Sequence, residues 1–141
     1  MAEHLYEHKV HYYETDQMKI VHHSNYVRWF EEARLDWMEQ LGIGYDQMEK
    51  DGIISPIIEV DVKYKTMTRF GDTVVLKLNI ESYNSVKLVI GYTVRDKVTD
   101  EIRCTGSTTS CFMNADGMII SLKRGFEKYD QLFRDMMGKK P

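Results

Sequence analysis

Apolar residues recur at helical spacing in the segment from Ser24 to Leu41. Tyr26, Phe30, Ala33, Trp37 and Leu41 fall on one face of a helix with 3.6 residues per turn. Charged residues take much of the remaining surface, namely Arg28, Glu31, Glu32, Arg34, Asp36 and Glu39. Ser24 or Asn25 can supply the N-cap oxygen, and Gly42 stands where a glycine usually ends a helix. The pattern predicts one long amphipathic helix.

After a polar segment around Tyr45 to Gly52, the apolar period changes from 3.6 to two. In residues 58–65 the even positions are apolar and the odd positions are polar, and Phe70 rejoins the even set. The same parity returns from Val74 to Ile80, from Val86 to Val94 and from Ile102 to Phe112. Each alternating run predicts a strand with one buried face.

The links between these runs are short, at Gly71-Asp72, at residues 83–85 and at residues 98–100. Parallel neighbours would need crossovers of a dozen residues or more, so the sheet is predicted to be an antiparallel meander. Leu5 to Tyr13 predicts a further strand, and Phe126 to Met137 a short C-terminal helix. The long helix, at about 27 Å, matches strands of about 33 Å, which favours an α+β domain with helix on sheet.

Length and composition add limits to this outline. The 141 residues, 43% of them hydrophobic, suit a single domain over residues 1–141. A formal net charge of -3 with mixed signs argues against a nucleic-acid partner. We expect no membrane segment and no signal peptide, and hence a cytoplasmic protein. Cys104 and Cys111 have opposite strand parity, so we expect no disulfide between them.

The densest polar cluster lies between the first strand and the long helix, from Glu14 to Tyr26. The first turn of a helix presents unpaired N–H donors and the positive end of the helix dipole. A carboxylate or a developing oxyanion is stabilised there, and Asp16 is placed to use this environment. The alternative is that Asp16 only caps a turn, as aspartates before helices commonly do.

Two other polar groups of residues could in principle carry chemistry. His4, His8, His11, His22 and His23 crowd the N-terminal quarter, but strand parity places His11 opposite His4 and His8. No metal site is therefore predicted. Glu31, Glu32 and Asp36 could form a carboxylate pair, but Arg28 to Glu32 and Glu31 to Arg34 have the spacing of surface ion pairs.

The segment Asp16-Gln-Met-Lys-Ile-Val-His-His-Ser-Asn-Tyr26, followed by Val-Arg-Trp-Phe-Glu-Glu-Ala-Arg, resembles the signature of the 4-hydroxybenzoyl-CoA thioesterase family. It is most similar to the small bacterial acyl-CoA thioesterases related to the Tol-Pal-associated enzyme. Tyr64, Phe70-Gly71-Asp72 and Phe112 resemble further landmarks of that family. The resemblance implies a hotdog fold, in which a meander sheet wraps one central helix, and a homodimer or homotetramer with sites at subunit interfaces.

By the same resemblance, Asp16 corresponds to the catalytic carboxylate and the backbone N–H of His23 to the donor that polarises the thioester carbonyl. Asn25 and Tyr26 belong to the same motif and are expected to bind substrate. Acyl-CoA hydrolysis of this type needs no metal or organic cofactor. Asp16 could attack the carbonyl or deprotonate a water, and both mechanisms stay open. A hotdog module that binds acyl-CoA without turnover is the alternative function.

Lys19 departs from the family pattern, which usually has glycine three residues after the aspartate. Glycine at such a position suggests a positive φ or a close approach of chains. Lys19 is therefore expected to change substrate preference or to meet a phosphate of CoA. Because CoA is polyanionic, cations should surround the mouth of the pocket, and Lys63, Lys65, Arg69 and Lys87 are the candidates.

Overall fold

Residues 3–138 of the chain are described here from a computed structural model. Within that range, three α-helices and a 3-10 turn accompany five strands. In chain order the elements are β1 (Glu3–Lys9), the 3-10 turn (Tyr12–Glu14), α1 (Ser24–Gln40), α2 (Tyr45–Lys50), β2 (Ile57–Tyr64), β3 (Thr73–Tyr83), β4 (Lys87–Asp96), β5 (Ile102–Cys111) and α3 (Glu127–Gly138). The strands form one antiparallel sheet in the order β1-β3-β4-β5-β2. The predicted α+β class is confirmed.

Helix α1 has the predicted apolar face. Tyr26, Phe30, Ala33 and Trp37 are all buried, and Gly42 ends the helix with a positive φ of 78°. The N-terminal prediction is wrong, because His23 rather than Ser24 or Asn25 occupies the N-cap, with helical dihedrals and no side-chain cap hydrogen bond. The Ser24 N–H instead donates to His22 Nδ1, and the N–H groups of Asn25 and Tyr26 donate to the carbonyls of His22 and His23, so the preceding loop caps the first turn.

The charged face of α1 differs from the prediction. Arg34 was expected in solvent, but it is 2% exposed and donates a hydrogen bond to the hydroxyl of Tyr45 at the start of α2, a helix that was not predicted. Glu32 lies 3.3 Å from His8 Nδ1, and Asp36 lies 2.6 Å from His4 Nε2. Glu32 and Asp36 thus face the histidines of β1, and within residues 3–138 neither forms an ion pair with Arg28 or Arg34.

The β3–β4–β5 part of the sheet is the predicted meander, and its even positions are buried: Val74, Leu76, Leu78, Ile80, Leu88, Ile90, Tyr92, Val94 and Cys104. Cys104 and Cys111 are both free and buried, and burial raises the pKa of the Cys104 thiol to about 12. Helix α3 was predicted and packs Phe133 into the same core. No helix in residues 3–138 has the length and apolarity to span a membrane.

The prediction for β2 is wrong in two respects. β2 pairs with β5 at the far edge of the sheet and is not a neighbour of β3, so Gly71-Asp72 does not close a β2–β3 hairpin. Its even face is open: Ile58, Val60 and Tyr64 are 50%, 42% and 50% exposed, and Phe70 is also exposed. Alternation shows which residues share a face of a strand, but it does not show what covers that face.

A glycine sets the distance between α1 and the sheet. The Phe30 ring stacks on Tyr92 with centroids 4.3 Å apart and planes at 6°. A Cβ atom on Gly106 would lie 2.5 Å from the carbonyl oxygen of Asp61 and 2.7 Å from the Phe30 ring. The absence of a side chain at Gly106 therefore lets α1 lie close to the sheet. This contact sets the distance between the N-terminus of α1 and the sheet.

Candidate functional site

The site begins where β1 ends. β1 stops at Lys9, short of the predicted Tyr13, and the chain turns through the 3-10 segment. The turn is held by Glu14, which is 4% exposed. Its Oε1 accepts the His11 backbone N–H at 2.7 Å and contacts His8 Nε2 at 2.8 Å, and its Oε2 accepts Trp29 Nε1–H at 2.7 Å. Burial alone would raise the pKa of Glu14, but these hydrogen bonds outweigh it and lower the pKa.

Because the strand ends early, the parity argument that separated His11 from His8 fails. Their ring centroids are 5.3 Å apart, and both side chains lie beside the carboxylate of Glu14. Strand parity could not show this contact, because it ends with the strand at Lys9, and the 3-10 turn that follows His11 brings the Glu14 carboxylate beside both rings. Neither His4 nor His22 belongs to this group of possible metal ligands.

The loop after Glu14 is a tight hairpin. Thr15 bridges Val21, Asp16 N–H donates to the Ile20 carbonyl at 2.9 Å, and Lys19 N–H donates to the Asp16 carbonyl at 2.9 Å. Lys19 has a φ of 65°, in the left-handed region that glycine adopts most easily. The positive φ suggested by the glycine of the family pattern is therefore present, although a lysine occupies the position.

Two side chains of α1 that were predicted to bind substrate anchor this loop through hydrogen bonds. Asn25 is buried, and its Nδ2 donates to the Glu14 carbonyl at 2.9 Å. Tyr26 donates its hydroxyl proton to Thr68 Oγ1 at 2.9 Å, and the Thr68 carbonyl accepts Val21 N–H at 2.8 Å. Tyr26 also lines the cavity described below, whereas Asn25 does not. The structure thus gives Asn25 a role in the scaffold.

The two carboxylate oxygens of Asp16 have different surroundings. Its Oδ1 accepts the backbone N–H of Met18 at 2.8 Å, which is the turn-capping contact of the alternative interpretation. Asp16 also lines the cavity, and its Oδ2 has no hydrogen-bond partner within residues 3–138. One oxygen therefore orients the carboxylate while the other stays available. Capping and catalysis are compatible in this geometry.

His23 contributes a free backbone donor. Its carbonyl accepts the hydroxyl of Tyr64 at 3.2 Å and the N–H of Tyr26 at 3.4 Å. Its own N–H donates to no acceptor in the part of the chain that is described. The His23 ring is exposed and lies edge-to-face with Tyr64, at a centroid distance of 6.2 Å. A free N–H at the start of α1, in line with the helix dipole, is suited to an oxyanion.

These elements surround a cavity of about 510 Å³ between the loop, α1, the end of β2 and the start of β5. Five predicted site residues line it, namely Asp16, His23, Tyr26, Lys65 and Arg69. Lys19 is exposed on the hairpin and does not line it. Lys63 lines a separate groove on the outer face of the sheet, and Lys87 lies at the start of β4 outside this cavity. The structure therefore does not bring these last two cations to the cavity.

Tyr64 and Arg103 also line the cavity and were not predicted to act there. Arg103 is 9% exposed and reaches Asp96 at 2.9 Å and Glu101 at 2.5 Å. The Thr99 backbone N–H and Arg103 together lower the pKa of Asp96 to about 2. An arginine within an alternating strand could have indicated a functional role for Arg103. Nothing in the sequence indicates that it pairs with Asp96.

The Asp96 carboxylate should make the fold sensitive to acid. Its pKa falls from 3.8 to about 2 on folding, so its stabilising effect is complete above pH 3.8 and is lost as the pH falls toward 2. We expect Asp96→Asn to cost about 1 kcal/mol at neutral pH and to reduce the loss of stability over that acidic interval. Melting temperatures of both proteins across pH would test this. Parallel acid profiles would contradict it.

Lys19→Gly is expected to leave hydrolysis intact. The substitution removes a side chain from a positive-φ position but adds backbone entropy to the unfolded chain, so stability should change by about 1 kcal/mol or less. A change in acyl preference stays the prediction from the family pattern. Relative rates across a panel of acyl-CoAs would check it, and identical relative rates would remove Lys19 from substrate selection.

Comparisons with known proteins agree with this architecture. The family model described as "Thioesterase-like superfamily" matches residues 10–126. A Bacillus subtilis protein named as a candidate acyl-CoA thioesterase is 40% identical over 100 residues, covering 70% of this chain and 72% of that protein. A DHNA-CoA thioesterase from Staphylococcus aureus has a TM-score of 0.91 and 34% identity, with 98% and 93% of the two chains covered.

A hypothetical protein from Aquifex aeolicus has a TM-score of 0.82 and 30% identity, with 90% of this chain and 97% of that chain covered. The family match covers well over half of the chain, and the Staphylococcus aureus structure superposes over nearly all of it. The chain therefore belongs to the thioesterase-like superfamily of hotdog-fold enzymes.

Proposed function

We propose that this protein hydrolyses an acyl-CoA thioester to the free acid and CoA, with Asp16 as nucleophile or general base and the His23 N–H as the donor to the carbonyl oxygen. The observation that carries the proposal is that both residues line one cavity, with a free carboxylate oxygen on Asp16 and a free N–H on His23 within the described chain. The enzyme acts, in this proposal, as one domain over residues 1–141 in the cytoplasm.

The chemistry requires little more than these two groups. A thiolate leaves readily, so the demanding step is the formation of the negatively charged tetrahedral intermediate. The His23 N–H, at the positive end of α1, stabilises the charge that develops on the carbonyl oxygen. The Asp16 carboxylate either attacks the carbonyl carbon, giving a mixed anhydride that water then cleaves, or takes a proton from the attacking water. Neither route requires a metal or organic cofactor.

Cations near the cavity support binding of the CoA phosphates. Lys65 and Arg69 line the cavity, and neither forms a salt bridge within residues 3–138. Lys19 lies on the adjoining hairpin, whose residue Ile20 bridges Arg69. We therefore propose that Lys19, Lys65 and Arg69 bind the CoA phosphates. Lys63 and Lys87 lie away from the cavity and have no part in this proposal.

The rings of the cavity favour an aromatic acyl group. His23, Tyr26 and Tyr64 line one side, with Tyr26 and Tyr64 edge-to-face at a centroid distance of 5.4 Å. Edge-to-face surroundings suit a further aromatic ring. The similar Staphylococcus aureus enzyme is named for a DHNA-CoA substrate. The Asp16 to Tyr26 motif supports a finer placement near the 4-hydroxybenzoyl-CoA and Tol-Pal-associated enzymes, which stays a prediction.

A homodimer or homotetramer is the proposed assembly. Exposed apolar side chains lie along the edge strand β2, including Ile57, Ile58, Val60 and Tyr64, the last at the cavity. An open edge with such a surface is suited to pairing with a second copy. Light scattering should give a multiple of 16.6 kDa at micromolar protein. A mass near one chain would contradict the assembly, and Val60→Asp should lower the mass toward that value.

Thiol release from a panel of aromatic and aliphatic acyl-CoAs tests the function. We expect multiple turnovers, with aromatic substrates preferred. Turnover of aliphatic substrates alone would reject the aromatic preference and keep the hydrolase. Binding of a non-hydrolysable analogue without release from any substrate would support the binding-module alternative instead.

A further inference from the structure

A group of metal-ligand side chains lies outside the cavity, between β1 and the 3-10 turn. His8, His11 and Glu14 each offer a ligand atom, and these atoms all lie within 4.8 Å of one another. His8 Nε2 and Glu14 Oε1 are 2.8 Å apart. Two ligands of a tetrahedral ion at about 2.0–2.1 Å lie roughly 3.3 Å apart. The His8–Glu14 pair therefore needs to open by only about half an ångström to admit the ion.

The two buried ligands also have the outer partners that orient metal ligands. His8 Nδ1 lies 3.3 Å from the carboxylate of Glu32, so the ring can donate Nδ1–H there and present Nε2 as a lone pair. Glu14 Oε2 accepts the Trp29 Nε1–H at 2.7 Å, which fixes the carboxylate. Carboxylate–imidazole pairs of this kind set the tautomer of a ligating histidine.

The charge balance favours a cation. The His8 ring has carboxylates on both sides, from Glu14 and Glu32, and neither carboxylate forms a salt bridge with lysine or arginine within residues 3–138. With neutral imidazoles, the group has two negative charges, and Glu14 is almost fully buried. Buried carboxylates are normally paired with a positive charge or coordinate a metal.

We propose that His8 Nε2, a ring nitrogen of His11 and Glu14 Oε1 bind one divalent transition metal, with zinc as the preferred ion. Two imidazoles and one carboxylate are a donor set that zinc accepts, with a water in the remaining position. Binding replaces the direct His8–Glu14 contact with two bonds to the ion. The His11 ring is exposed and stacked on Tyr13, with centroids 5.1 Å apart, so it can close over the ion from solvent.

This site has a role distinct from hydrolysis. Glu14 also holds the hairpin through its backbone carbonyl, which accepts hydrogen bonds from Asn25 Nδ2 and His22 N–H. An ion at Glu14 therefore ties β1 and the 3-10 turn to the loop that carries Asp16. The expected consequence is a more stable fold when the ion is bound, by mass action on the native state.

The test is a titration of chelator-treated protein with zinc chloride in a buffer that does not bind metals, followed by the melting temperature and by the visible spectrum of the Co²⁺ form. We expect one ion per chain, a raised melting temperature, and weaker binding at about pH 5.5 than at about pH 7.5 because the histidines must be deprotonated. His11→Ala should weaken binding at least about tenfold, and Glu32→Gln by about tenfold.

His22→Ala is the matched control, because His22 and His23 form an exposed histidine pair, with ring centroids 4.2 Å apart, that could bind zinc weakly. It should leave the one-to-one binding unchanged. His11 is exposed, so its replacement should not unfold the protein, and the melting temperature of the metal-free form checks this. Absence of binding, unchanged binding in His11→Ala, or loss of binding in His22→Ala alone would each overturn the proposal.

Discussion

Asp16→Asn is expected to lower kcat by roughly a hundredfold or more while acyl-CoA binding survives. An amide neither attacks a thioester effectively nor accepts a proton from water at neutral pH. Asn keeps the size of the side chain, and its Oδ1 can still accept the Met18 N–H that Asp16 Oδ1 accepts at 2.8 Å. Stability should therefore change by about 1 kcal/mol or less. Turnover, analogue binding and melting temperature are measured on one preparation.

Asp72→Asn is the matched control for that experiment. Asp72 also caps a backbone N–H, that of Arg69 at 2.9 Å, but it does not line the cavity. It should keep most of the turnover. If Asp16→Asn behaves in the same way, or loses turnover only in proportion to lost folding, Asp16 has a capping role alone and the binding-module function regains support.

Gly106→Ala is expected to destabilise the fold by about 3 kcal/mol. The new Cβ would meet the Asp61 carbonyl oxygen at 2.5 Å and the Phe30 ring at 2.7 Å. The carbonyl belongs to the backbone of β2, and the Phe30 ring is stacked on Tyr92, so neither can move without disturbing packing. Because α1 rests on this contact, the start of the helix at His23 should shift as well.

Gly91→Ala provides the comparison for Gly106→Ala. A Cβ at Gly91 would meet the flexible side chain of Glu81 on the outer face of the sheet, which can move into solvent. Its cost should be below about 1 kcal/mol. Urea unfolding of both variants measures the difference. Equal midpoints, or a larger loss for Gly91→Ala, would show that α1 does not depend on the close approach at Gly106.

Much of the fold could be predicted because its elements have strong periodic signals. Helix α1 and the β3–β4–β5 meander bury the faces that their patterns indicated, and α3 lies where a C-terminal helix was predicted. The position of β2 could not be predicted, since pairing between β2 and β5 depends on a long-range choice of neighbour. Arg34 was misplaced for a related reason: its burial depends on Tyr45, in a short helix without a clear apolar stripe.

The residues that line the cavity could be predicted better than the buried contacts that hold the site loop in place. The motif resemblance indicated Asp16 and His23, and both line the cavity. The charge of CoA indicated four cations, of which Lys65 and Arg69 line the cavity and Lys63 and Lys87 do not. The buried interactions of Glu14 with His8 and Trp29 were not foreseen, because three separate elements meet there. Asn25 and Tyr26 both hold the loop, but only Tyr26 also lines the cavity. Their spacing in the sequence could not show this difference.

The most direct test of the proposed mechanism is a crystal structure with a non-hydrolysable acyl-CoA analogue. The carbonyl oxygen of the analogue should lie about 3 Å from His23 N. The free oxygen of Asp16 should lie about 3–3.5 Å from the carbonyl carbon, or hold a water at that distance. An analogue whose carbonyl lies away from His23, or outside the cavity that Asp16 lines, would contradict the account.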